Sequence, residues 1–182
     1  MFKDCFVHGE FERDFGFLLK PHSPAKGTTL VFYPHGSLFL ATEPFGGEVK
    51  VSRSEKDYLL DSVLEKWEQQ DYIPLFISEG TSYEKLRSIT RNSYLNTVYD
   101  SVLARLGDSL VIYGWSMSEQ DQHITDALGR AGPTEIAVSV YTGDENWEAF
   151  CYDVNGKIRQ LRRLRDSELI FFDAQSRGCW IH

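Results

Sequence analysis

The stretch SLVIYGWSMSEQD, residues 109–121, reads as a buried strand that empties into a small, polar turn led by a glycine. Ser118 and Asp121 have capping-box spacing, which predicts a helix from about 118 to 130 directly behind the turn. Some 70 residues earlier LVFYPHGSLFL, residues 30–40, makes a similar transition, with His35 and Gly36 at the end of a short apolar run. Two such transitions raise the question of whether both turns serve one ligand.

Outward from these stretches the chain alternates between strand-like and helical patterns. Leu60, Val63, Leu64 and Trp67 follow the i, i+3, i+4, i+7 rule, behind a capping signal at Ser54 and Asp57. YIPLFIS (72–78) reads as a short buried strand, and TSYE (81–84) as a capping box that opens a helix through Leu86 and Ile89. Leu95, Val98, Tyr99, Val102, Leu103 and Leu106 form an unbroken helical stripe ended by Gly107. A strand at 135–141, a helix behind TGDE (142–145) and a last strand from Glu168 to Phe172 complete the pattern. The basic run KIRQLRRLR (157–165) suits a helix with Ile158, Leu161 and Leu164 inward and its arginines in water.

Residues 1–29 are irregular. Phe2, Phe6, Phe11, Phe15 and Phe17 have mixed spacing, and KPHSPAKGTT (20–29) reads as a polar connector. Apolar strands alternating with helices imply a mainly parallel sheet covered on both faces. The expectation is a single three-layer, Rossmann-like α/β domain over 1–182, with 30–182 as its core. Expected core residues include Leu30, Phe32, Leu75, Ile77, Val98, Leu103, Leu110, Ile112, Ile136, Val138, Ile170 and Phe171.

Composition bounds the function. The chain has 182 residues, 42% hydrophobic and 14% aromatic, which is the make-up of a globular domain. A net charge of −8 argues against a broad surface for nucleic acid or anionic membrane. Cys5, Cys151 and Cys179 are odd in number and far apart, so neither a disulfide framework nor a cysteine metal site is expected. With no secretory h-region and no apolar run long enough to span a bilayer, a cytoplasmic protein is the default expectation.

In an open α/β sheet ligands bind beyond the carboxyl ends of the strands. PHGS, SEGTS, GWSMSEQD and TGDE would all lie there, offering glycine turns and helix N-termini to phosphates and ribose hydroxyls. His35 can exchange a proton near neutral pH, although a histidine bonded to nearby backbone is the plainer reading. Asp121 likewise has a plainer part, in starting its helix.

YPHGSLFL, PLFISEGTSYEKLRSITRNSYL and LVIYGWSMSEQDQHI resemble, in that order, the later two thirds of the sirtuin-like proteins of bacteria and phages, across roughly residues 28–141. The resemblance implies an NAD-binding Rossmann-like domain, and in active members cleavage of the nicotinamide–ribose bond. It implies His35 as the base that activates a ribose hydroxyl and Gly36 as the residue that shapes the turn. Gly114 and Ser116 would approach ribose and phosphate, and Asp121 would be the acidic residue that follows. Gly80, Thr81 and Lys85 match a middle motif to which the resemblance assigns no role. NAD is the expected cofactor, with no metal.

The sequence departs from that family in two places. It has no Gly-x-Gly turn for a pyrophosphate and no Asn-Tyr-Asp-type motif near a nicotinamide, so the chain is expected to be a fragment or a shortened member that binds NAD weakly or not at all. Two rival readings stand beside it. One is a non-catalytic sirtuin-like binding or assembly module, with Trp147 and Trp180 as candidate contacts for an unknown protein partner. The other is an esterase with Ser116 as nucleophile beside Asp173 and His182, in which Ser118 replaces the second glycine of the nucleophile elbow.

Overall fold

The structure, a computed structural model, describes residues 2–4, 29–44, 47–52, 58–69 and 72–177. The expectations for Phe6, Phe11, Phe15 and Phe17, the connector at 20–28, Ser54 and Asp57, Cys5, Cys179, Trp180 and His182 lie outside these residues, as does the burial of Leu30. The chain divides into two compact units, residues 1–79 with 87–98, and residues 80–86 with 99–182. The fold is mixed α/β.

In the first unit β1 (Phe2–Asp4) and β2 (Thr29–Val31) pair in parallel. A separate antiparallel sheet has the order β4-β3-β5, from β3 (Gly36–Thr42), β4 (Glu48–Lys50) and β5 (Ile73–Phe76). β3 and β4 pair as a short antiparallel ribbon. The buried strand expected at 72–78, which the overall pattern made parallel, is not found. β5 runs antiparallel to β3, with Leu75 buried but Ile73 62% and Phe76 46% exposed. Successive side chains point to opposite faces, so a short apolar run does not show that both faces are covered.

Helix α1 (Leu59–Glu68) places Val63 against Ala41 and Val51, with Phe39, Val49, Trp67 and Tyr72 around them. Leu60 and Leu64, expected on the buried stripe, are exposed at 60% and 44%.

Helix α2 (Ser82–Ile89) starts at the expected capping box. Thr81 N–H donates to Glu84 Oε2 at 2.9 Å, and Glu84 N–H to Thr81 Oγ1 at 3.3 Å. Helix α3 (Ser93–Thr97) is capped by Asn92 and by Glu48 Oε1, which accepts from Ser93 N–H at 2.8 Å. The long helix expected to reach Gly107 is shorter. After α3 the chain makes one π turn, Val98–Val102. The wider turn rotates the stripe off its face, so Tyr94, Leu95, Val98 and Tyr99 are buried while Leu103 and Leu106 are only half-buried.

The second unit is built on a parallel sheet of order β6-β7-β8, from β6 (Ser109–Ile112), β7 (Glu135–Val140) and β8 (Glu168–Asp173). Ile112, Val138 and Phe171 lie in register across it. A 3₁₀ turn (Glu119–Asp121) and α4 (Gln122–Leu128) connect β6 to β7, and α5 (Trp147–Gln160) connects β7 to β8. One face of the sheet packs Ile112, Ile136 and Val138 against Met117, Val154, Ile158 and Leu164. Each such fully buried side chain contributes on the order of 1.5–3 kcal/mol.

The other face differs from expectation. Ile170, expected in the core, is 48% exposed, and Val111, in its register row through Ala137, is 65% exposed. The basic run also ends its helix early: α5 stops at Gln160, and Leu164 is buried from a turn beyond it.

Candidate functional site

The three strands of the second unit run parallel, so their carboxyl ends share one edge. At the end of β6, Gly114 turns the chain with φ +67°, a conformation that costs other residues ~1–2 kcal/mol. Its N–H donates to Ser139 Oγ at 3.1 Å, which ties this turn to the end of β7. Ser116 is exposed. Met117 has φ +50°, its side chain is buried, and its carbonyl accepts from Lys157 Nζ at 2.9 Å.

Ser118 caps the 3₁₀ turn, but no side-chain capping bond forms. The expected capping box is therefore not made, because the Asp121 carboxylate is engaged elsewhere. Asp121 Oδ1 accepts from Lys85 Nζ at 2.8 Å, and Oδ2 from Trp115 Nε1 at 3.2 Å.

Gly80, Thr81 and Lys85 take structural positions beside these contacts. Gly80, with φ +113°, leads into the Thr81–Glu84 capping box, and the first turn of α2 then fastens to the chain around α4. Lys85, only 8% exposed, reaches Asp121. Ser82 Oγ accepts from His123 N–H at 2.9 Å and lies 3.1 Å from His123 Nδ1. Arg130 stacks over Tyr99 at 4.6 Å and donates to the Tyr99 carbonyl at 2.8 Å, inside the π turn. Two bonds from Thr81, backbone first and then hydroxyl, hold the Glu84 carboxyl below its ordinary range.

A cavity of about 670 Å³ opens at the carboxyl edge of the sheet. Its floor is Gly114, Ser116, Ser139 and Val140; its walls carry Tyr113, Trp115, Tyr141, Trp147 and Phe150. The charged side chains on it are the carboxylates of Asp144 and Asp153. Asp153 is neutralised by Lys157 at 2.6 Å. Asp144 Oδ1 accepts from Asn146 N–H at 2.8 Å and more weakly from Asn146 Nδ2 at 3.4 Å, and no described residue donates to Oδ2. The size and the mix of aromatic and sparse polar groups are those of a small-molecule site.

The residues singled out in the sequence fall into both units. Gly114, Ser116 and Asp121 belong to the second, where Gly114 and Ser116 line the cavity and Asp121 stands behind Trp115. His35 and Gly36 belong to the first. The His35 carbonyl accepts from Ile77 N–H at 2.8 Å. Gly36 has φ +76°, and a Cβ there would lie 1.9 Å from the Leu75 carbonyl oxygen, so this glycine is required by its own sheet. Asp173, the acid of the esterase reading, ends β8 and accepts from Gln175 N–H at 2.9 Å. Sequence reasoning placed TGDE on the rim but passed over Tyr141, Asp144 and Trp147 as ligand contacts. Their signal was position, one, four and seven residues beyond the carboxyl end of β7.

Against this geometry, the chain belongs to the family described as "Domain of unknown function (DUF4917)", whose model matches residues 1–180. No curated protein and no solved structure matches the chain.

Proposed function

We propose that the second unit is a Rossmann-like nucleotide-binding domain that takes NAD or a related nucleotide at the carboxyl ends of β6 and β7. One observation carries the reading: a glycine turn and a set of aromatic side chains converge on a cavity of about 670 Å³ at that edge. A glycine turn admits a ligand close to backbone, aromatic faces stack on a planar base, and carboxylates accept from ribose hydroxyls. The sirtuin-like order of motifs points to the same class of ligand.

The wall carries carboxylates and not cations, so affinity comes from the nucleoside part. A Kd of about 0.1–1 mM for NAD is expected, equivalent to roughly 4–5.5 kcal/mol. Trp115 and Trp147 make the site visible, and titration of tryptophan fluorescence with NAD, checked by calorimetry, tests it. A flat titration to several millimolar NAD and adenosine would remove the reading. Hydrolysis of NAD with His35 as base, which the resemblance implies, is a separate step. It is tested by nicotinamide release from wild type and His35→Ala; binding without release favours the non-catalytic module.

A further inference from the structure

Asp144 stands where the chain leaves β7, the strand next to β6 in the sheet, so it faces the same cavity as the Gly114 turn. Asp144 lines the cavity, and its Oδ1 is held by Asn146 N–H at 2.8 Å, while no described residue donates to Oδ2. Of the two wall carboxylates, Asp153 already has its counter-ion in Lys157. Among the described residues no cation pairs with Asp144, so it supplies the uncompensated negative charge on the wall. Beside it Tyr141 and Trp147, 57% and 38% exposed, offer ring faces to a planar group.

We propose that Asp144 selects nucleotides whose ribose 2′- and 3′-hydroxyls are free, and turns away the same nucleoside carrying a phosphate on that ring. This rests on the nucleotide reading above and adds a specificity to it. A fixed carboxylate accepts hydrogen bonds from a vicinal diol. A ribose phosphate would replace those donors with a dianion a few ångströms from a carboxylate that no cation of the described residues balances, which both removes the bonds and adds repulsion. A phosphate on the 5′ carbon lies away from the diol and escapes the penalty.

The test uses the full chain and four probes: adenosine, and its 5′-, 2′- and 3′-monophosphates, with binding read by tryptophan fluorescence and calorimetry. Adenosine and the 5′-monophosphate should bind comparably, and the 2′- and 3′-monophosphates at least about thirtyfold more weakly at low salt. Raising ionic strength should narrow the gap, because screening weakens repulsion between charges. Asp144→Asn keeps an oxygen for Asn146 N–H and should bring the four probes within about threefold. Equal binding of all four by wild type overturns the selectivity but leaves the nucleotide reading standing. A gap that survives Asp144→Asn overturns the assignment to Asp144. Binding of none removes both.

Discussion

Lys85 Nζ lies 2.8 Å from Asp121 Oδ1, and the pair is well withdrawn from water, with side chains 10% and 20% exposed. Withdrawing two charges is costly, and each is tolerated because the other is there. Asp121 also accepts from Trp115 Nε1, so the pair sets the back of an aromatic wall of the cavity.

Breaking the pair one-sidedly should therefore be expensive. Asp121→Leu is expected to lose about 3–5 kcal/mol in urea unfolding by stranding the Lys85 charge, and Lys85→Met less, because Trp115 Nε1 still donates to Asp121. The double variant should recover much of that loss, and a double-mutant cycle measures the coupling. Additive losses would mean that the two charges are solvated independently.

Two glycines with positive φ should respond unequally to alanine. Gly114→Ala meets open space and should cost about 1–2 kcal/mol for its conformation alone. Gly36→Ala adds a collision with the Leu75 carbonyl and should cost more than that, or prevent folding. Similar unfolding midpoints for the two would contradict the close approach of β3 and β5.

Glu84 predicts a pH dependence. Its carboxyl is held down by Thr81 in the folded chain, so its contribution is complete above the unfolded carboxylate range and is lost as pH falls through the lower folded value. The stability gap between wild type and Glu84→Gln should thus shrink in acid and be constant from pH 6 to 8. A gap that widens in acid would reverse the sign and remove the capping-box explanation.

Burial, and then the charge of Glu148, raise the Cys151 thiol above its ordinary range. The thiolate is the reactive form, so alkylation of Cys151 near pH 8 should be slower than that of a free thiol, and Glu148→Gln should speed it. Site-resolved mass spectrometry separates Cys151 from Cys5 and Cys179. Rapid labelling that ignores position 148 would mean that the thiol is not shielded.

How far these features were legible depends on whether a local pattern carries them. β6, β7 and β8 were legible because Leu110–Ile112, Ile136–Val140 and Leu169–Phe172 are rich in apolar and β-branched residues with turns at their ends. The direction of β5 was not, because parallel and antiparallel strands share the same residue types at this length. The exposure of Ile170 was not, because period and composition do not say whether a second layer covers the face. Lys85 and Asp121 lie 36 residues apart, and the local reading of Asp121 as a capping residue competed with a pairing that only the fold creates.

Trp147 and Ser116 should separate stacking from hydrogen bonding at the cavity. Trp147 lies on the first turn of α5 and lines the cavity with 38% of its surface open, so part of its ring is free to meet a ligand under the proposed function. Removing a stacked aromatic costs ~1–3 kcal/mol per base, so Trp147→Ala should weaken adenosine and NAD alike by about five- to 150-fold. Ser116 is exposed on the glycine turn and would offer one hydroxyl, worth ~0.5–1.5 kcal/mol, so Ser116→Ala should cost NAD about two- to tenfold. Its effect on adenosine should be smaller if the hydroxyl meets phosphate, as the sirtuin-like resemblance implies. Thermal unfolding of Ser116→Ala should stay near wild type, whereas Trp147→Ala, which loses a ring more than half covered by protein, should unfold at a lower temperature, so binding is compared where both are folded. Should Trp147→Ala bind as well as wild type while Ser116→Ala abolishes binding, the base does not stack where the aromatic wall stands, and the ligand must be oriented the other way round.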